Sequence, residues 1–174
     1  MTANKETAAV VDRENPVHAA SALTGWQGKA VFYFAVAFTF FQIYTAAFNP
    51  ISSQVLRSLH VGFLLLLTFI LFRARQGKPA DRAPWYDWAL ALTGFALAFY
   101  HWIFEGDLIL RAGDPTMTDL VVGVIVVALV VEGSRRIMGW ELPLICAVFI
   151  PYALFGRELP GFLVHRGFDI EQVI

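Results

Sequence analysis

The sequence predicts an all-α membrane protein, a bundle of about five transmembrane helices with the N-terminus in the cytoplasm. Three observations carry that reading. The apolar residues gather in five blocks, at 30–48, 55–72, 85–104, 118–136 and 139–155. At 1.5 Å rise per residue each block covers roughly 25–30 Å, close to the thickness of a bilayer's hydrocarbon. None of the blocks has the polar stripe that a helix facing water needs. Composition agrees: 57% of the residues are hydrophobic and only 16% are charged, with a mean hydropathy of +0.60. That balance excludes a disordered chain and argues against a soluble globular fold. Third, the polar breaks between the blocks alternate in charge.

The alternation sets the orientation. The break between the second and third blocks holds Arg73, Arg75, Lys78 and Arg82 against Asp81 alone, and the fourth block ends at Arg135 and Arg136. Short loops rich in Lys and Arg stay cytoplasmic. The break between the third and fourth blocks instead holds Glu105, Asp107, Asp114 and Asp119 against Arg111, and the break at 49–54 has no charge. These two face outward, and Lys29 beside the first block keeps the N-terminal tail inside. Arg157 and Arg166, after the fifth block, fall outside and run against the trend. Trp26, Trp85, Tyr86, Trp88 and Trp140 fall at the inner boundary, and Tyr44, Tyr100, Trp102 and Tyr152 towards the outer one. Indole and phenol rings favour that amphipathic zone.

Along the chain, residues 1–27 read as a flexible cytoplasmic tail. Glu6, Asp12 and Glu14 stand where a secretory signal would be basic, so the first block reads as an uncleaved span. Gln42 inside that span is placed to hydrogen-bond a neighbouring helix. Gly94 and Ala98 give the third span one small-xxx-small step suited to close contact with a partner helix. The lone Cys146 reads as a small buried hydrophobe. Pro143 and Pro151 lie in the path of the fifth block, and Asp169 with Gln172 forms a capping pair that would open a new helix. The ending therefore reads as a cut inside a longer polypeptide.

Ionisable residues at membrane depth are the place to look for chemistry. They are Arg57, His60, Asp87, His101, Glu105 and Glu132. Asp87 is expected to be solvated at the inner interface near Arg82. Glu132 stands three and four residues before Arg135 and Arg136, the spacing of a helix-end ion pair. His60 and His101 fall at similar depth below the outer surface. Two neutral imidazoles on facing helices could ligate a b-type haem, which would make a membrane electron carrier the alternative function. The bland reading is two interfacial histidines with their polar edges in water. The sequence has no G-x-S-x-G, H-E-x-x-H, phosphate-binding glycine loop or cysteine pair, and it makes no dedicated substrate cage. No enzymatic activity, resident cofactor, metal or catalytic residue is expected. The net charge of −1 gives no reason to expect a nucleic-acid partner.

Four groups of residues carry a resemblance. They are Phe41-Gln42-Ile43-Tyr44 with Arg57-Ser58-Leu59-His60, and Pro84-Trp85-Tyr86-Asp87-Trp88. The others are Glu132-Gly133-Ser134-Arg135-Arg136 with Gly139-Trp140-Glu141-Leu142-Pro143, and Tyr152-Ala153-Leu154-Phe155-Gly156 with Leu159-Pro160-Gly161 and His165-Arg166-Gly167. In this order the chain from Trp26 onward resembles the N-terminal region of fused permeases of the tripartite ATP-independent periplasmic (TRAP) transporters, in the branch served by TAXI-type solute receptors. The resemblance implies a four-helix small-subunit-like membrane domain at 28–137. It also implies that 138–174 holds the fifth span and the start of a truncated large-subunit region.

Sodium-coupled symport of an organic acid across the bacterial inner membrane follows as an expectation. The implied partners are a large TRAP transport subunit or domain, a periplasmic TAXI-type solute-binding protein and the lipid bilayer. The family's substrate and sodium sites lie in the large subunit, so no binding residue carries over to this chain. The expected role is a static platform, with Phe-rich faces of the first and third spans on lipid and the Gly94–Ala98 face on partner helices.

Overall fold

A computed structural model describes residues 21, 23–74, 82–158, 160–161 and 164–169. Its helices are α1 (Gly25–Phe48), α2 (Ser53–Leu71), α3 (Trp85–Ile103), α4 (Glu105–Leu110), α5 (Met117–Met138) and α6 (Glu141–Leu154), with no strand among the described residues. Three of them, α1, α2 and α5, are long and apolar enough to cross a membrane. At 19 residues, α3 matches α2 in length, and both cover about 28 Å. The chain is an all-helical membrane bundle. The short member is α6, whose 14 residues rise only about 21 Å against the roughly 30 Å of a hydrocarbon core. Pro151 lies within it.

Local chemistry accounts for the helix ends. Asn49, with φ of 45°, closes α1 in the left-handed conformation and returns its N–H to Thr45 O. Ser52 caps α2 by accepting from Val55 N. Thr116 and Asp119 form a reciprocal capping box at the head of α5. Gly139, with φ of 81°, turns the chain out of α5 into α6 after two residues.

Helices α1, α2, α3 and α5 run alternately up and down. One end, called basic here, gathers the start of α1, the end of α2, the start of α3 and the end of α5. There Trp26 stacks on Trp88 with ring centroids 5.4 Å apart, and the Arg135 guanidinium sits 5.6 Å from the Trp140 ring. The aromatic residues expected at the inner boundary therefore do share one end of the bundle. Buried Gln27 brackets the Ala83 backbone, donating to its O at 3.2 Å and accepting from its N at 2.9 Å. This clamp ties α1 to the entry of α3. Residues 25–27, expected in the tail, are in fact the first turn of α1, while 1–20 and 22 lie outside the described residues. So does Gln172, the second half of the expected capping pair.

The core is the α2–α3 hairpin, the most extensive helix contact in the bundle. Leu65, Leu66, Phe69 and Ile70 of α2, Ala91 of α3 and Leu129 of α5 are buried together, and Val55, Leu59 and Ala98 form a second buried group. Lipid tails are as apolar as Leu, so close backbone approach has to supply what water-driven burial supplies elsewhere. Gly62 provides it: a Cβ there would collide with the Ala98 Cβ, and one at Gly94 would stand 3.1 Å from Leu65. Gly94 and Ala98 are thus consumed within this chain. Their expected role against an external partner is corrected by their burial under α2.

The Phe-rich faces divide. On α1, Phe32, Phe40 and Phe48 are exposed as expected. On α3, Phe95 and Phe99 turn inward, with Phe95 edge-on to Phe63 at 5.0 Å, so α3 offers no lipid-facing Phe stripe there. Cys146 is half-buried rather than buried, and only Pro143 of α6 is fully covered.

Candidate functional site

The basic end holds the most concentrated chemistry. Arg136, in the last turn of α5, is 2% exposed, and Asp87, in the first turn of α3, is 1% exposed. Arg136 Nη1 donates to Asp87 Oδ1 at 2.7 Å and to Phe72 O at 3.1 Å, and Nε donates to Glu132 Oε1 at 2.8 Å. Its guanidinium also lies 4.8 Å from the centre of the Phe69 ring. Arg135 grips the same Glu132 with two bonds of 2.7 and 2.8 Å and donates to Ala74 O at 3.1 Å.

The arrangement exploits helix ends. The cation meets the carbonyls that terminate α2, and the carboxylate meets the N-terminal turn of α3, so each charge opposes a helix dipole as well as its partner. A buried carboxylate without a cation would be expensive, which is why every charge here is paired and hydrogen-bonded. The expectation that Asp87 is solvated near Arg82 is therefore corrected: its partner is Arg136, and Arg82 is exposed. The Glu132 ion pairs at both spacings are present as expected.

The opposite, acidic end carries a different feature. At the basic end α5 packs tightly on the hairpin, with Gly133 set against Leu65 and Thr68. Towards the acidic end it diverges, and a crevice of about 500 Å³ opens between α2, α3 and α5. Gly62, Leu65, Gly94, Ala98, Val126 and Val127 form its apolar depth. Gln54, Arg57, Ser58, Tyr100, His101 and Asp119 form its polar mouth, with Leu108 of α4 and Pro115 over it.

Tyr100 donates its hydroxyl proton to Asp119 Oδ1, bridging α3 to α5. Asp119 Oδ2 accepts from Thr116 N at 2.8 Å and from Thr116 Oγ1 at 2.7 Å, and Arg111 Nη2 lies 3.6 Å from Oδ1. Asp119 is therefore fully engaged.

The remaining candidates separate. His60 does not line the crevice; it faces α1, where Gln42 donates to its Nδ1 and Phe38 meets the ring edge-on at 5.2 Å. Gln42 thus makes the interhelical bond expected of it. His101 lines the crevice beside Arg57, so the two histidines look into different surroundings. Glu105 opens α4, a short helix within the acidic break between the third and fourth blocks. Among the described residues, no group of three or more His, Cys, Asp or Glu side chains could hold a metal ion.

Sequence reasoning missed the burial of Arg136, the Tyr100–Asp119 bridge and a fold-back behind α6. There His165 N donates to Gly156 O and Phe168 N to Ala153 O, both at 2.9 Å. His165 Nε2 donates to Tyr152 O at 2.9 Å while Nδ1 accepts from Gly167 N at 3.1 Å. The bonds to Tyr152 O and Ala153 O satisfy two of the orphan carbonyls at the end of α6. The signal was present in the Gly156 and Gly167 positions, since a Cβ at Gly156 would overlap the His165 ring.

No protein-family model, curated protein or solved structure matches this chain.

Proposed function

We propose that this chain is the membrane scaffold part of a sodium-coupled TRAP-type transporter in a bacterial inner membrane, importing organic acids handed over by a periplasmic TAXI-type binding protein. The observation that carries the scaffold reading is the buried Asp87–Arg136 pair, which pins α2, α3 and α5 into one unit. A body that braces a moving transport domain has to be stiff. Beside that unit, α5 and α6 present Val121, Val124, Ile125, Leu144, Ile145, Val148 and Phe149 as exposed apolar surface. Surface of this kind suits lipid on one side and the helices of a large transport subunit on the other. The choice of TRAP rather than another transporter rests on the resemblance of the motif order. The N-terminus is cytoplasmic in this reading, which places the acidic end in the periplasm.

The test is reconstitution. Proteoliposomes holding this chain, a large TRAP permease and a loaded receptor are expected to accumulate labelled organic acid only under an inward sodium gradient. Uptake unchanged when this chain is left out would overturn the proposal.

A further inference from the structure

We infer that the crevice between α2, α3 and α5 is a binding site for one anionic phospholipid, with its phosphate at Arg57 and His101 and one acyl chain in the apolar depth. The inference rests on the helices lying in a bilayer and is independent of the transporter reading. Its first ground is shape. From Arg57 to Leu65 along α2, and from Asp119 to Val127 along α5, the lining runs eight residues, about 12 Å into the hydrocarbon. The volume of about 500 Å³ falls within the roughly 300–1,000 Å³ of cavities that take a single small molecule.

The second ground is charge. Among the described residues, Arg57 makes no hydrogen bond or ion pair, and His101 makes only an edge contact with the Tyr100 ring. The one carboxylate lining the mouth, Asp119, is taken by Tyr100, Thr116 and Arg111. Two nitrogen-bearing side chains therefore line the mouth, both exposed and with no protein acceptor of their own among the described residues. An apolar helix laid into the groove would leave both unsatisfied, and a zwitterionic lipid would bring a headgroup cation that Arg57 repels. A phosphate bearing net negative charge satisfies both donors, with Arg57 as a two-pronged partner for its oxygens.

The third ground is access. On the α3 side the Tyr100–Asp119 bond closes the acidic end, and Leu108 and Pro115 lie over it. With that side closed, the lipid is taken to enter sideways, between α2 and α5, where it already lies in the plane of the membrane.

The full chain, purified in detergent, is equilibrated with mixed micelles of equal phosphatidylglycerol and phosphatidylcholine and read by native mass spectrometry. The expected result is one bound phosphatidylglycerol per chain, retained at least tenfold more than phosphatidylcholine. The Arg57→Gln/His101→Gln double variant is expected to lose about tenfold in retention, and Arg57→Lys, which keeps the charge but not the fork, to lose part of it. Gly123 of α5 also lines the crevice, and Gly123→Leu, which puts a large side chain there, is expected to abolish retention. Arg73→Gln at the basic end is a control expected to match the parent, and thermal unfolding checks that each variant is folded. Equal retention of the two lipids, or parent-like retention by the double variant, would overturn the inference. So would displacement of the lipid by millimolar inorganic phosphate, or a lipid-free dimer as the stable species.

Discussion

Asp87 and Arg136, 49 residues apart in sequence, meet at 2.7 Å with both side chains buried. Neither is replaceable alone. Truncating one partner strands the other charge away from water, a loss of about 3–5 kcal/mol, whereas removing both together costs far less. Asp87→Ala and Arg136→Ala are each expected to lower the unfolding midpoint in detergent sharply. Asp87→Leu/Arg136→Met should recover most of that loss. Chemical denaturation followed by circular dichroism decides it; additive losses in the double variant would count against the pairing.

At the α2–α3 seam, Gly62→Leu has nowhere to go, because even a methyl group meets Ala98. Overpacking of this kind costs about 1–3 kcal/mol. Ala98→Gly in the same chain should return part of it, and thermal unfolding of the single and double variants is the measurement.

The Gln27 clamp predicts a local effect. Gln27→Ala removes both hydrogen bonds to the Ala83 backbone, and a buried group left unpaired costs about 1–3 kcal/mol. The Ala83 amide is expected to exchange its hydrogen at least tenfold faster in the variant, with amides in the middle of α2 unchanged. Uniform acceleration across the bundle would mean that the clamp is not local.

Tyr100→Phe removes the bond that joins α3 to Asp119 at the acidic end. A hydrogen bond to a charged group contributes about 1.5–3 kcal/mol. Spin labels placed on α3 and α5 near that end should move apart or broaden in their distance distribution, while a pair at the basic end stays as in the parent.

Much of the fold was legible because membrane helices announce themselves locally. Block lengths, the Glu132–Arg135 spacing and the two aromatic groupings each depend on residues close in sequence. The partner of Asp87 was not legible in that way. Which face of a helix turns inward depends on the rotation of each helix about its axis, and blocks that are apolar all round carry no stripe to reveal it. The same blindness hid the fate of Gly94 and Ala98: a small-residue step shows that something comes close, without showing whose helix it is. Depth alone singles out Arg57 and His101 as candidates, but the crevice they share depends on how α5 sits against α2 and α3, which no local pattern encodes.

The two ends of the three-helix unit are unequally fastened. Four charged side chains and several backbone carbonyls rivet one end, while at the other the Tyr100–Asp119 link joins α3 to α5 and a Ser58–Ala98 hydrogen bond joins α2 to α3. Where such a body yields, α5 is expected to pivot on the hairpin at Arg136, with the largest displacement near Tyr100. Thickening or compressing the surrounding bilayer would therefore register first as a change in the gap at the tips.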